Sequence, residues 1–281
     1  MSIAKVLQRG QQQLVEHQIV DSPKLDCQLL LAFVLNVRSS YLLAWPEKEI
    51  TGQQHNDFLQ LLNRRSQGEP IAFLLGKQEF WSLPFNVSPC TLIPRPDTEV
   101  LVETVLDDYP ALSNIRLLDL GTGTGAIALA LGHEKPDWQI DAVDFNDDAV
   151  ALAKSNAEQL EIAGVNIYQS DWFANVSKAS KFDVIVSNPP YIDEQDPHLS
   201  QGDVRFEPKS ALVAEEQGFK DIRDIIATSR CYLKRGGMLY IEHGFEQHLI
   251  IQQIYQEYGY GDIETVKDYN DQPRMTKGRW H

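Results

Sequence analysis

The sequence predicts an α/β fold: a mainly parallel, seven-stranded Rossmann-like sheet ending in an antiparallel hairpin, preceded by a small helical bundle and a β-hairpin linker. Three observations lead there. Strand-like and helix-like runs alternate from about residue 115 onward, which is the pattern of a parallel sheet built from crossover units. A glycine loop joins the first of those strands to its helix. The last two strand-like runs follow each other with no helix between them, so they must pair antiparallel.

Residues 1–70 read as a helical domain. Apolar residues recur three and four apart at Ile3, Val6 and Leu7, then at Leu14 and Val15. Ser22 has the character of an N-cap with Pro23 in the first helical position, and Thr51 could cap a helix carrying Phe58, Leu61 and Leu62, with Gly68 past its end. Residues 71–92 read as a β-hairpin linker, beginning with Ile71-Ala72-Phe73-Leu74-Leu75 as strand and continuing through Glu79-Phe80-Trp81 and Leu83-Pro84-Phe85. Residues 93–281 form the third region. Its proline-stiffened start, Ile93-Pro94-Arg95-Pro96-Asp97-Thr98-Glu99, feeds a helix with an acidic first turn. Strands are expected at 115–120, 139–144, 165–169, 182–187 and 237–242, and helices near 125–132, 147–160, 218–233 and 245–258. A terminal hairpin is expected from 262–268 and 274–280, turning at Asn270-Asp271-Gln272-Pro273.

Composition narrows the function. Against 40 acidic residues there are 25 Lys plus Arg, a net charge of −15 that disfavours direct contact with nucleic acid. Cys27, Cys90 and Cys231 are odd in number and widely spaced, without a C-x-x-C pair, so no disulfide framework or metal site is expected and a reducing cytoplasm fits. The longest apolar stretch, Leu29 to Leu35, is too short to span a bilayer, and no export signal or membrane association is expected. A monomer is expected.

Leu117-Leu118-Asp119-Leu120 runs into Gly121-Thr122-Gly123-Thr124-Gly125. A glycine loop at a helix start turns backbone N–H groups toward an anion such as the carboxylate of a methionine moiety. Its G-x-G-x-G spacing differs from the G-x-G-x-x-G of dinucleotide folds and by itself favours S-adenosylmethionine over the alternatives of another nucleotide or mere tight packing. Asp144 ends the second strand, where an acid can accept from ribose hydroxyls, although Asn146, Asp147 and Asp148 show that a helix cap also lies there. Asp171 and Trp172 follow the third strand, placed to meet adenine through a carboxylate and an indole face. Asp119 lies under the loop, to bind either the loop or the methionine amino group.

Asn188-Pro189-Pro190-Tyr191 follows the buried run Phe182-Asp183-Val184-Ile185-Val186-Ser187. Two prolines remove two N–H donors and fix two φ angles, leaving a stiff corner rich in acceptors that suits a planar NH2 group. An amide or aromatic amine has a delocalised lone pair. A site that holds both N–H groups, through the Asn188 side-chain oxygen and the Pro189 carbonyl, can aim that lone pair at a sulfonium methyl. Tyr191 would lay its ring on the substrate or beside the positive charge. Asn188, Pro189 and Tyr191 are the expected catalytic residues, and Asn188–Tyr191, with Pro190, the substrate contacts. The loop from Ile192 to Ser210 is long and polar, as loops over active sites are.

These segments, with Ser170-Asp171-Trp172-Phe173 and Val204-Arg205-Phe206-Glu207-Pro208, resemble over essentially the whole chain the HemK/PrmC family, the bacterial peptide chain release factor glutamine methyltransferases. The resemblance implies a class I S-adenosylmethionine-dependent methyltransferase domain. It also implies a helical N-terminal domain that docks the substrate, and methylation of the glutamine of the Gly-Gly-Gln loop in class I release factors, with S-adenosylhomocysteine as product. It assigns cofactor binding to Gly121–Gly125, Asp144, Trp172 and Asn188. Asn146 departs from the serine that many relatives carry there. Two alternatives share the turn: a glutamine methyltransferase of a ribosomal protein, and an adenine methyltransferase of DNA, which would need a basic groove and a flipped base.

Overall fold

The computed structural model describes residues 1–111 and 113–281. It divides into two compact units, Met1–Lys77 with Ser200–Phe206, and Gln78–Leu199 with Glu207–His281.

The first unit carries α1 (Ile3–Glu16), α2 (Pro23–Leu35), α3 (Ser39–Ala44), α4 (Gly52–Ser66) and α5 (Ile71–Leu75). Ile3, Val6, Leu14, Leu30, Leu31, Phe58 and Leu62 close its core. Thr51 caps α4 with a full capping box: its Oγ1 accepts from Gln54 N at 3.2 Å, and Gln54 Oε1 accepts from Thr51 N at 2.9 Å. Ser22 takes the N-cap position of α2, but its hydroxyl donates to Asp26 Oδ1 at 2.7 Å in place of a backbone cap. Asp26 is buried and paired with the equally buried Arg65 at 2.7 Å. The other side of that guanidinium meets Asp203 at 2.9 Å, so the middle of the long loop after the Asn-Pro-Pro-Tyr turn belongs to this unit.

One expectation is corrected here. Ile71–Leu75 is the helix α5, not a strand, and the hairpin begins only at Lys77. Five consecutive apolar residues carry no period that separates strand from buried helix. Pro70 at the N-cap and Gly76 in the left-handed region at φ 68° start and stop the turn.

The second unit begins within β1 (Lys77–Phe80), which forms a hairpin with β2 (Leu83–Asn86) through Trp81 and Ser82, both at positive φ, the handedness that matches strand twist. After α6 (Glu99–Asp108) come β3 (Arg116–Leu120), α7 (Ala126–Glu134), β4 (Gln139–Asp144), α8 (Asp147–Gln159), β5 (Val165–Gln169) and β6 (Phe182–Ser187). Then follow the short turn α9 (Glu215–Gly218), α10 (Lys220–Ser229), β7 (Leu233–Glu242), α11 (His248–Glu257), β8 (Tyr260–Lys267) and β9 (Pro273–Trp280). Among the described residues seven strands form one sheet in the order β5-β4-β3-β6-β7-β9-β8, parallel except at β9. The central strands are apolar on both faces. Along β6, Val184 and Val186 join one core, with Ile127, Leu129 and Leu131 of α7, while Phe182 and Ile185 join the other, with Ile222 and Ile226 of α10.

Strand order reverses between β3 and β6, whose neighbours in sequence lie on opposite sides. A cleft opens beyond the carboxyl ends of the strands at such a reversal. Leu120 and Ser187 are register partners, and Ser187 Oγ donates to Leu120 O at 2.8 Å, so the glycine loop and Asn188 leave the sheet side by side.

Candidate active site

A cavity of about 280 Å³ lies at this reversal. Of the residues expected to bind cofactor or substrate, Gly121, Thr122, Gly123, Thr124, Asp144, Asp171, Trp172, Asn188 and Pro190 line it. Asp119, Gly125, Pro189 and Tyr191 do not.

Gly121, Gly123 and Gly125 have φ of 73°, 54° and 84°, the left-handed region where a side chain is strained. The loop is held from below. Gly121 N and Thr122 N both donate to Val143 O at 2.9 Å, and Thr122 Oγ1 donates to Asp119 Oδ2 at 2.6 Å. Asp119 therefore supports the loop, one of the two roles left open for it. Its Oδ1 is buried without a hydrogen bond, and burial raises its pKa to about 7 against the lowering effect of the Thr122 hydroxyl.

Asp144 accepts from Gly123 N at 2.9 Å and from Asn146 N at 3.0 Å. The helix cap is a different residue: Asn146 Oδ1 accepts from Asp148 N at 2.9 Å. Asp144 thus keeps lone pairs for a ligand, and its pKa is raised, chiefly by burial. Trp172, at φ 45°, rests its ring on Gly121 and lies beside Asp221, a half-buried cavity residue whose pKa burial also pushes up.

Asn188 is half-buried and donates from Nδ2 to Thr98 Oγ1 at 3.3 Å. Tyr191 stands behind the turn. Its carbonyl accepts from Gln247 Nε2 at 2.9 Å, its ring edges the second core, and its phenol, beside Arg274 and Glu242, has a pKa raised mainly by burial. Arg95, in the cavity wall, pairs with the buried Glu207, 112 residues further along the chain.

Thr98, Arg95, Asp221 and Glu242 were not singled out by sequence reasoning. Thr98 and Arg95 stand inside a quoted proline segment, but no local pattern says that they turn inward, and Asp221 is one acid among many in a chain of charge −15.

The donor set fits S-adenosylmethionine. Asp144, Asp171 and Asp221 offer acceptors for hydroxyls and amines, the start of α7 offers N–H groups to a carboxylate, and Ile127, Phe80, Leu92 and Phe145 supply an apolar wall.

Residues 5–76 match the family model of the PrmC N-terminal domain, and residues 96–204 that of the methyltransferase small domain. A release factor glutamine methyltransferase of Shewanella oneidensis is 52% identical over 278 residues, 99% of this chain and 96% of that protein. That of Escherichia coli K12 is 53% identical over 264 residues, 94% and 95%. The chain belongs to the release factor glutamine methyltransferase family. A solved T. thermophilus 16S rRNA N2 G1207 methyltransferase, in complex with AdoMet and guanosine, aligns at TM-score 0.55 and 16% identity, covering 73% of this chain and 50% of that one; at that identity the likeness is one of fold. The fold is that of class I S-adenosylmethionine-dependent methyltransferases. For this release factor glutamine methyltransferase relative, the N-terminal match ends at residue 76, one residue short of the end of the first compact stretch at Lys77.

Proposed function

We propose that this chain methylates the side-chain amide nitrogen of the glutamine in the Gly-Gly-Gln motif of class I peptide chain release factors. The observation that carries this reading is the juxtaposition of the glycine loop and the Asn-Pro-Pro-Tyr turn at the ends of β3 and β6, paired at Leu120 and Ser187. S-adenosylmethionine, when bound, supplies an electrophilic methyl group and leaves as S-adenosylhomocysteine.

The chain's own residues do the positioning. Backbone N–H groups of Gly121–Gly125 and the start of α7 receive the carboxylate, Asp144 receives the ribose, and Asp171, Trp172 and Asp221 flank the base. Asn188 Oδ1 and the Pro189 carbonyl accept both N–H bonds of the substrate carboxamide. That grip holds the amide plane so its lone pair faces the methyl, a gain realised as conjugation is given up in the transition state. No base has to act first, because the nitrogen becomes acidic only as the methyl arrives, and its surplus proton then leaves to solvent water. Tyr191 completes the turn, its ring packed against the second core beside Arg274 and Glu242. The helical unit docks the release factor. The setting proposed is a cytoplasmic monomer without direct nucleic-acid contact. Among the described residues no helix is long and apolar enough to cross a membrane.

The test is incubation with labelled S-adenosylmethionine and, in parallel, purified release factor, ribosomal proteins and DNA. Label on the release factor glutamine supports the reading; label on either other substrate overturns it. Asn188→Ala should abolish transfer while cofactor still binds, and undiminished transfer removes Asn188 from the mechanism.

A further inference from the structure

We propose that Glu242, acting with Thr98, is a positioning residue that sets which end of the Asn188 carboxamide faces the substrate. The inference rests on the role given to Asn188 above. β6 ends at Ser187 and β7 at Glu242, and Ser187 is the register partner of Ile241, so Asn188 and Glu242 leave adjacent parallel strands at the same level. Thr98 reaches them from the turn before α6 and is itself buried. Glu242 is only 2% exposed, its carboxyl lies beside the side chains of Thr98 and Asn188, and its Oε2 is buried with no hydrogen-bond partner. Asn188 Nδ2 also donates to Thr98 Oγ1 at 3.3 Å.

The chemistry of these three groups runs in one direction. Burial raises the pKa of the Glu242 carboxyl to about 7, and in the ionised form that prevails above that pH the carboxylate only accepts. Thr98 has one proton, which goes to Glu242, and its lone pairs are left to accept from Asn188. The NH2 end of Asn188 is therefore the end that both neighbours require. A flipped carboxamide would set its oxygen against Thr98 oxygen and a carboxylate with no proton between them, inside a region closed to water. With NH2 held inward, Oδ1 is the end left for the substrate, and an acceptor is what a substrate NH2 needs. Without that anchor the Asn188 carboxamide could present its own NH2 to the substrate NH2, and the grip would be lost. Glu242 touches neither substrate nor cofactor in this account; it acts through Asn188. Nothing in the charge balance replaces it, since Arg274 is engaged with Asp268 at 2.9 Å and Asp97 at 3.4 Å.

The experiment is steady-state kinetics on full-length protein with release factor, alongside calorimetric cofactor binding. Glu242→Leu should lower kcat by about 30-fold with KM for release factor and cofactor Kd each within about 3-fold, since only an orienting hydrogen bond to a charged group is lost. Glu242→Gln, which keeps an oxygen for Thr98 and Asn188, should lose only about 5-fold. The decisive arm exchanges the groups: Asn188→Asp alone sets two carboxylates together and should lose about 100-fold, and adding Glu242→Gln should recover about 10-fold of that, because an amide NH2 then faces the new carboxylate. A purely structural role for Glu242 predicts additive losses. Should Glu242→Leu not fold, the exchange pair, which conserves shape, carries the test alone. Wild-type kcat in folded Glu242→Leu, or no recovery in the exchange pair, overturns the inference while Asn188→Ala remains inactive. Full activity in Asn188→Ala overturns the site reading itself.

Discussion

Gly218→Ala tests how the catalytic turn is held. Gly218 sits at φ 86° directly behind Tyr191. A methyl built there would lie 2.7 Å from the Tyr191 carbonyl carbon, with the carbonyl oxygen closer still, and 3.0 Å from Gln247 Nε2. Ordinary contact begins near 3.4 Å, so the Tyr191 backbone must retreat by at least 3.4 less 2.7, or 0.7 Å. The atoms that must move are backbone in a proline-stiffened turn and the amide that bonds Tyr191 O at 2.9 Å, so neither yields freely. Overpacking of this kind costs about 1–3 kcal/mol and the left-handed backbone about 1 more, a loss of about 2–4 kcal/mol. For a unit of this size that lowers Tm by about 5–10 °C. A displacement approaching 1 Å at Asn188 should cost about 100-fold in kcat. The assay pairs thermal unfolding with single-turnover methylation of release factor at saturating cofactor. A folded Gly218→Ala protein with wild-type turnover refutes the claim that this contact sets the geometry of the turn.

Asp144→Asn should weaken S-adenosylmethionine binding by about 2 kcal/mol, roughly 30-fold in Kd by calorimetry, because a charged acceptor is lost and an amide NH2 confronts Asn146 N. Leu43→Ser combined with Trp45→Ser, at two exposed apolar side chains of the helical unit, should raise KM for intact release factor about 10-fold and leave turnover of a short Gly-Gly-Gln peptide within about 2-fold; equal losses on both would mean docking lies elsewhere. His243 is fully buried between Gly244 O at 2.9 Å and Thr276 Oγ1 at 2.8 Å, and burial lowers its pKa from 6.5 to about 4. The unfolded chain therefore takes up a proton that the folded one refuses. Its contribution is intact above pH 6.5 and falls, by about 3 kcal/mol in all, as pH drops toward 4; denaturation curves of His243→Asn should lack that component.

The alternation of runs and the two site motifs are local, and they were readable for that reason. The strands expected at 139–144, 165–169 and 182–187 occur at those residues; the last is a short apolar run buried on both faces, whereas 165–169 is a part-buried edge strand. The glycine loop and the Asn-Pro-Pro-Tyr turn each declare a backbone conformation that only Gly or Pro supports. Ile71–Leu75 escaped because five apolar residues fit either period, and flanking Pro70 and Gly76 decided for helix. The packing of Tyr191 against the second core was not legible, because a strand end fixes where a turn lies but not which way a side chain swings.

By itself, then, the sequence determined the α/β class, the conformation of the glycine loop, and a donor-poor corner at the end of the fourth strand of the parallel series. Only the tertiary structure decided that strand order reverses between β3 and β6, and that Thr98, Asn188 and Glu242, from three distant segments, come together beside the cavity. Local signals act over a few residues through backbone sterics and periodicity. Strand order and the partners of a buried carboxylate depend on free energies of pairing between segments that no short window contains.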